Sequence, residues 1–301
     1  MLRAFGLTDK GRVRPINEDC FAIHEDLGLL VVADGMGGHN AGEVAAQVAV
    51  GAVVEIVRDH DTNARLKGSR SSDTAESGSV SLEDGRSAPA FAEGFGASAE
   101  ARFASGGGSL SGERDPWPFG YDPSLSDDGN LLRTAIHVAC VQVIEAAGSA
   151  NQYAGMGTTL VAARVTGGRL SVAHAGDSRL YLLSAGRLQQ VTRDDSWVAS
   201  MLAADPDTDP EALQHHPMRN VLTNVVGAGA RTAVHVAEHE LAGGELLLLS
   251  TDGVHGVLDG RRLERMMQEE EDPRSIARTV ISAALKRGSR DNLTAVVARY
   301  E

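Results

Sequence analysis

Leu29-Leu30-Val31-Val32-Ala33-Asp34-Gly35 is a run of five apolar residues closed by an acid and a glycine. A second run, Leu246-Leu247-Leu248-Leu249-Ser250-Thr251-Asp252-Gly253, ends in the same pair. Neither alternates polar with apolar residues, so each reads as a strand buried on both faces. A carboxylate at the end of such a strand is costly to bury unless a cation or a hydrogen bond compensates it. The glycine after it allows a sharp turn or the close approach of a ligand. One Asp-Gly alone reads as an ordinary hairpin turn; further acids at strand ends change that reading.

Outward from these two runs, Cys20 to Glu25 forms a short strand before the first, and Gly42 to Arg58 a helix dense in Ala and Val after it. Asp128 or Asn130 can cap a helix over Leu131 to Ala147. Thr158–Val165 and Arg169–Ala175 are joined at Gly167-Gly168, a tight hairpin signal. Leu180–Ser184 and Arg187–Val191 are joined through Ala185-Gly186. A polar helical stretch follows over Ser196 to Gln214. Val234–Leu241 and Glu245–Ser250 read as another strand pair around Gly243-Gly244. Helices over Gly260–Gln268 and Pro273–Lys286 precede a last strand, Thr294 to Tyr300. Helix, hairpins and helix in this order point to antiparallel sheets with helices packed outside.

The chain has 301 residues, 42% of them hydrophobic, enough to bury a sizeable core. Between about residues 60 and 112 the character changes: 11 Ser and 9 Gly stand against seven large apolar residues. That composition cannot offset its own ordering entropy, so the stretch reads as a flexible insertion in one domain covering residues 1–301. Forty-one acids face 28 Lys and Arg, a net charge of −13. A field of that sign repels a phosphate backbone and an anionic bilayer, which argues against nucleic-acid and membrane partners. Cys20 and Cys140 read as buried thiols rather than a disulfide framework or zinc site. No run of consecutive apolar residues approaches the ~18–20 needed to span a bilayer. The first residues lack the apolar segment of a signal peptide, so the expected location is cytoplasmic. Asn292-Leu293-Thr294 fits a glycosylation sequon and reads as a chance match.

Asn17-Glu18-Asp19 places acids before one apolar strand, and Asp291-Asn292 stands before the last. Four strand ends therefore carry acids beside apolar runs. If these strands are neighbours, the acids converge, and hard divalent cations such as Mg and Mn prefer such oxygen ligands.

At this point six segments in order resemble the motifs of the metal-dependent Ser/Thr protein phosphatases of the PP2C (PPM) family, bacterial type. They are Thr8 to Asp19, Ala33 to His39, Gly155 to Leu160, Ala175 to Tyr181, Ser250 to Val254 and Arg290 to Thr294. The resemblance implies an α+β fold, a four-layer α-β-β-α sandwich of two antiparallel sheets with helices on both outer faces. It implies two Mn or Mg ions: Asp34 bridges both, Asp252 and Asp291 complete one, and Glu18 with the Gly35 carbonyl serves the other. Asp19 would hold metal-bound water, and Arg14 would grip the substrate phosphate. The implied reaction is hydrolysis of phosphoserine and phosphothreonine by water or hydroxide between the two ions. The implied partners are phosphorylated proteins, substrates of a Ser/Thr kinase. The resemblance does not fix the oligomeric state; a monomer is the expectation.

The chain departs from the family pattern in places. Met36 stands where some members have a histidine thought to protonate the leaving group, and His39 is not a match. Gly155 and Ala154 stand where many members have an acid for a third metal, so a third ion is doubtful. Asp195 stands where bacterial members often have His. Asp205 to Glu211 reads as an exposed acidic part of a variable flap at about 195–230, not a calcium loop, because Pro210 and His216 stand at the places needing Gly and Glu. Asp177 reads as structural. Two competing functions remain: a pseudophosphatase that only reads phosphorylated partners, and a two-metal phosphodiesterase or nuclease. The intact acids argue against the first, and the negative field against the second.

Overall fold

Side chains alternate across a strand, so a run that is apolar throughout must have a packed layer on each side. The computed structural model describes residues 1–38, 41–72, 117–205, 207–209, 212–213, 216–229 and 232–301. In it Leu246 and Leu248 face a helical layer, while Leu247 and Leu249 face a second sheet. Leu29 and Val31 likewise pack on helices, and Leu30 and Val32 on the opposite sheet. The two runs quoted first are thus an inner strand of each sheet.

Named in chain order, the strands are β1 (Leu2–Asp9), β2 (Asp19–His24), β3 (Leu29–Met36), β4 (Gly157–Thr158), β5 (Leu160–Thr166) and β6 (Arg169–Ala175). They continue as β7 (Arg179–Ser184), β8 (Arg187–Gln190), β9 (His235–Glu240), β10 (Leu246–Ser250) and β11 (Leu293–Tyr300). The helices are α1 (Ala41–Ser72), α2 (Asp127–Ser149), α3 (Trp197–Ala204), α4 (Asp252–His255), α5 (Gly260–Glu269) and α6 (Pro273–Lys286). One sheet has the order β1-β11-β10-β7-β8. The other runs β2-β3-β5-β6-β9, with β4 paired to the end of β3. Every pairing is antiparallel. Helices α1 and α2 cover the second sheet through Ala45, Ala49, Val53, Leu132 and Ile136. Helices α4 to α6 cover the first through Val254, Leu263, Ile276 and Val280. The expected four-layer α-β-β-α sandwich is the fold.

Several local expectations need correction. Val234–Leu241 and Glu245–Ser250 are not a strand pair. β9 pairs with β6 in one sheet and β10 with β7 and β11 in the other, so the Gly243-Gly244 link crosses between layers. The compositions give the reason: β9, HVAEHE, is polar enough for a sheet edge, whereas four consecutive leucines need cover on both faces. The helix after β3 does not stop at Arg58 but continues to Ser72, because a helix already nucleated propagates through polar residues without needing an apolar face. Residues 60–72 therefore belong to a helix, not to a flexible insertion, and residues 73–112 lie outside the described residues. Asp61 in that stretch pairs with the buried guanidinium of Arg164 at 2.6 Å, and Asp128 on α2 approaches the same group at 3.3 Å.

Helix α2 begins four residues before the expected Leu131. Its cap is Ser126, whose hydroxyl accepts from Gly129 N–H at 3.1 Å, rather than Asp128 or Asn130. Asn130 is buried and instead binds the loop before the helix, donating to the Asp122 carbonyl at 2.9 Å. Among the described residues α2 is long and apolar enough to cross a membrane by length and composition, yet it lies against α1 and the second sheet. Within the polar helical stretch, α3 is capped by the Ser196 hydroxyl and ends at Ala204; residues 212–213 are helical as well, and residues 206, 210–211 and 214 lie outside the described residues. Both cysteines are free thiols; Cys140 is buried beside the Thr232 hydroxyl at 3.0 Å, while Cys20 is only half-buried.

Leu247 lies wholly buried between the sheets. Leu247→Ala should lower unfolding stability by about 3 kcal/mol, seen as a lower urea midpoint with an unchanged slope.

Candidate active site

The sandwich brings the acids of both sheets to one end. Asp34 lies inside β3 rather than beyond it, since that strand continues to Met36 to pair with β4. Asp19 opens β2 and is directly opposite Asp34 in the ladder. Asp252 opens the short helix α4, after β10, and Asp291 stands just before β11. A cavity of about 410 Å³ opens between them, lined by Arg14, Glu18, Asp34, Gly35, Asp252 and Asp291 together with Met36, Gly37, Thr159, Asp177 and Asn292. Asn220, Leu222 and Val225, from the segment before β9, close its other wall. Six of the seven expected site residues thus line one cavity; the seventh, Asp19, lies buried just off it.

Each acid is held by its neighbours. The Asp34 N–H donates to the Thr159 hydroxyl at 3.0 Å, and the Asp34 carbonyl accepts from the Thr159 N–H at 2.9 Å and the Thr158 hydroxyl at 2.8 Å. Asp19 Oδ2 accepts from the Thr251 and Thr294 hydroxyls at 2.9 and 2.7 Å. Gly35 has no side chain for a spatial reason: a Cβ there would run into the Gly42 carbonyl of α1. Asn292 is buried, accepts from the Glu18 N–H at 2.9 Å and donates to the Lys10 and Ile16 carbonyls at 2.9 Å each. That residue, set aside as part of a chance sequon, positions the loop carrying Glu18. Its signal was present in the sequence, as an amide directly beside a strand-end acid.

Crowded negative charge dominates the electrostatics. Burial, reinforced by Asp19, Asp252, Asp177 and Asp291, holds the Asp34 carboxyl well above the usual range. Burial and then Asp291 push Asp252 up to about 6. Burial and then Asp252 push Asp177 up to about 7, which places this residue, expected to be structural, beside the acids of the cavity. Burial raises Asp19 to about 7 against the pull of its two threonine hydroxyls. Glu18 is raised by burial as well. One cation offsets part of this charge: Arg14 Nη2 donates to Asp291 Oδ2 at 2.6 Å.

The donor set fits a hard cation. Glu18 Oε1, Asp252 Oδ1 and Asp19 Oδ1 are buried without a hydrogen-bond partner, a state expensive to maintain unless something positive binds there. Oxygen-only ligands match Mg or Mn rather than zinc. Among the described residues no three His, Cys, Asp or Glu side chains already surround a single point as a closed metal shell. The acids share a cavity without having closed on one centre. Among the described residues no histidine lines it; His39 lies outside them. Asp205, Asp207 and Asp209 are exposed and make a local turn, with the Asp207 N–H donating to Asp205 Oδ1 at 3.2 Å.

The profile of the protein phosphatase 2C family matches residues 12–298. The chain belongs to that family. It is similar to the serine/threonine protein phosphatase PstP of Mycobacterium tuberculosis, 29% identical over 99% of this chain and 45% of that protein. The chain therefore spans about half the length of that relative. The serine/threonine phosphatase stp of Listeria welshimeri is 28% identical over 96% of this chain and 92% of the relative. Among solved structures, the catalytic domain of PstP in complex with two manganese ions superposes with a TM-score of 0.70 at 26% identity, covering 99% of this chain and 97% of that one.

Asn292→Ala would leave the Glu18 N–H and two loop carbonyls without their partner. We expect a loss of about 2–3 kcal/mol in folding stability by chemical denaturation.

Proposed function

We propose that the chain is a Mn- or Mg-dependent protein phosphatase that hydrolyses phosphoserine and phosphothreonine in proteins. Its natural role is to reverse a Ser/Thr kinase, working in the cytoplasm as a monomer. Its unit is one catalytic domain over residues 1–301, with an insertion within about 73–112 and a flap at about 195–230. The observation that carries this reading is the set of buried and half-buried carboxylates from both sheets around one cavity, with an orphaned oxygen on Glu18 and on Asp252 and a guanidinium on its wall.

Asp34 would lie between two ions, Asp252 and Asp291 would hold one, and Glu18 with the Gly35 carbonyl the other. Two such cations supply neutralisation of a phosphate dianion and acidification of water. The remaining roles fall to the chain. Arg14 spends Nη2 on Asp291, and its other N–H donors can bind phosphoryl oxygens with charge-assisted bonds. Asp291 thus orients the arginine while serving the ion. Asp19, fixed by two threonine hydroxyls, keeps Oδ1 as an acceptor for water. The threonine bonds to Asp34 hold its backbone, so the carboxylate is aimed before substrate arrives.

Turnover of p-nitrophenyl phosphate and a phosphothreonine peptide should require Mn and vanish with EDTA. Asp34→Asn and Asp252→Asn should each lower kcat by about a thousandfold. Turnover surviving either change would overturn the metal reading, and Mn binding without turnover in the wild type would favour a pseudophosphatase. Arg14→Ala should raise KM for the peptide by about tenfold, measured in steady-state assays. Crystals soaked in Mn should show two fully occupied ions, because Gly155 and Ala154 leave a third site without its usual acid.

A further inference from the structure

We propose that Asp195 is a positioning residue that clips the flap-side wall of the cavity to the wall supporting Asp34, so that it sets the binding of peptide substrates. This inference rests on the phosphatase reading and extends it to a residue outside the cavity.

The Asp195 carboxylate is mostly buried and joins three parts of the chain. Oδ2 accepts from the Gly176 N–H at 2.9 Å and from Asn224 Nδ2 at 2.7 Å, and Oδ1 faces His235 Nε2 at 3.0 Å. The backbone of Asp195 adds two more links. Its N–H donates to the Gly176 carbonyl at 3.0 Å, and its carbonyl accepts from the Thr223 N–H at 2.8 Å. Asn224 is itself fixed, donating to the Ala233 carbonyl at 2.8 Å and accepting from the Ala233 N–H at 3.1 Å.

Two partners of the clip, Gly176 and Asn224, lead to the cavity. Gly176 adopts a φ of +102°, and a Cβ there would lie 2.7 Å from Thr159 Cβ, so this turn sits directly on Thr159. Thr159 holds the Asp34 N–H, and Asp177, next to Gly176, lines the cavity. On the other side, Asn224 stands among Asn220, Leu222 and Val225, the residues of the opposite wall. The Asp195 carboxylate therefore adds a side-chain link between the wall that carries the acids and the wall formed by Asn220, Leu222 and Val225.

Losing the carboxylate would not release the flap wall. The Val221 carbonyl still accepts from the Trp197 N–H at 2.8 Å, and Val226 and Thr158 exchange two backbone bonds at 2.9 Å. The wall would shift rather than detach. A small aryl phosphate that reaches only the acids and Arg14 would not sense the shift, whereas a peptide leaning on Asn220 and Leu222 would.

The test compares wild type, Asp195→Ala, Asp195→Asn and Asn224→Ala with Mn on p-nitrophenyl phosphate and a phosphothreonine peptide. Asp195→Ala should raise KM for the peptide by about tenfold, with kcat on both substrates and KM for the aryl phosphate within about twofold. Asp195→Asn should restore the peptide KM, because an amide oxygen can accept from both Gly176 and Asn224. Asn224→Ala should repeat the alanine effect and decides the matter if Asp195→Ala does not fold. Hydrogen exchange at residues 220–226 reads the clip without turnover and should be faster in both alanine variants. Unchanged exchange there, an unchanged peptide KM, a parallel rise in KM for both substrates, or no rescue by asparagine overturns the clip. Wild-type inactivity with Mn overturns the phosphatase reading instead, and exchange then decides the clip alone.

Discussion

Mutual repulsion among buried and half-buried carboxylates is the constraint that the rest of this structure answers. Asp19, Asp177, Asp252 and Asp291 each raise the proton affinity of at least one neighbouring carboxylate, and Asp34 feels all four. Left to itself, such a cluster would spread or draw in water. It is held because its members come from two different sheets, each stiffened by packing on both faces. Neither β3 nor β10 can retreat without uncovering leucines and valines on one side or the other.

The small polar residues around the cluster then take on clear roles. Threonine hydroxyls from β11 and from the turns before α4 and β5 point at Asp19 or at the Asp34 backbone. They fix the acids without neutralising them. Arg14 supplies positive charge at the mouth, in its ion pair with Asp291. The fold thus accepts a destabilised end, as functional sites commonly do, and concentrates the cost where a cation would relieve it.

How much of this was legible differed by residue. The strand-end acids could be read because an acid after a fully apolar run has few bland explanations. The unbroken leucines of β10 implied cover on both faces, and hence a layered fold. The Gly243-Gly244 link misled because a local turn signal carries no information about which sheet the next strand joins. The far half of α1 misled because its residues are polar, and helix propagation does not show in hydrophobic pattern. Asn292 and Asp195 act through hydrogen bonds to residues distant in sequence, among them Lys10, Ile16, Glu18 and His235. No spacing rule could have displayed those partners.

The buried Arg164 has a further consequence. Sitting on β5, it reaches Asp61 on α1 and Asp128 on α2, so one guanidinium fastens together two helices that lie far apart in the sequence. Closing a chain segment costs entropy that grows only logarithmically with its length, about 0.6 kcal/mol for each doubling. With α1 and α2 already fastened to one strand, the cost of holding them together depends little on the number of residues between them. The acid cluster at one pole of the sandwich is thus spared the task of joining the covering helices.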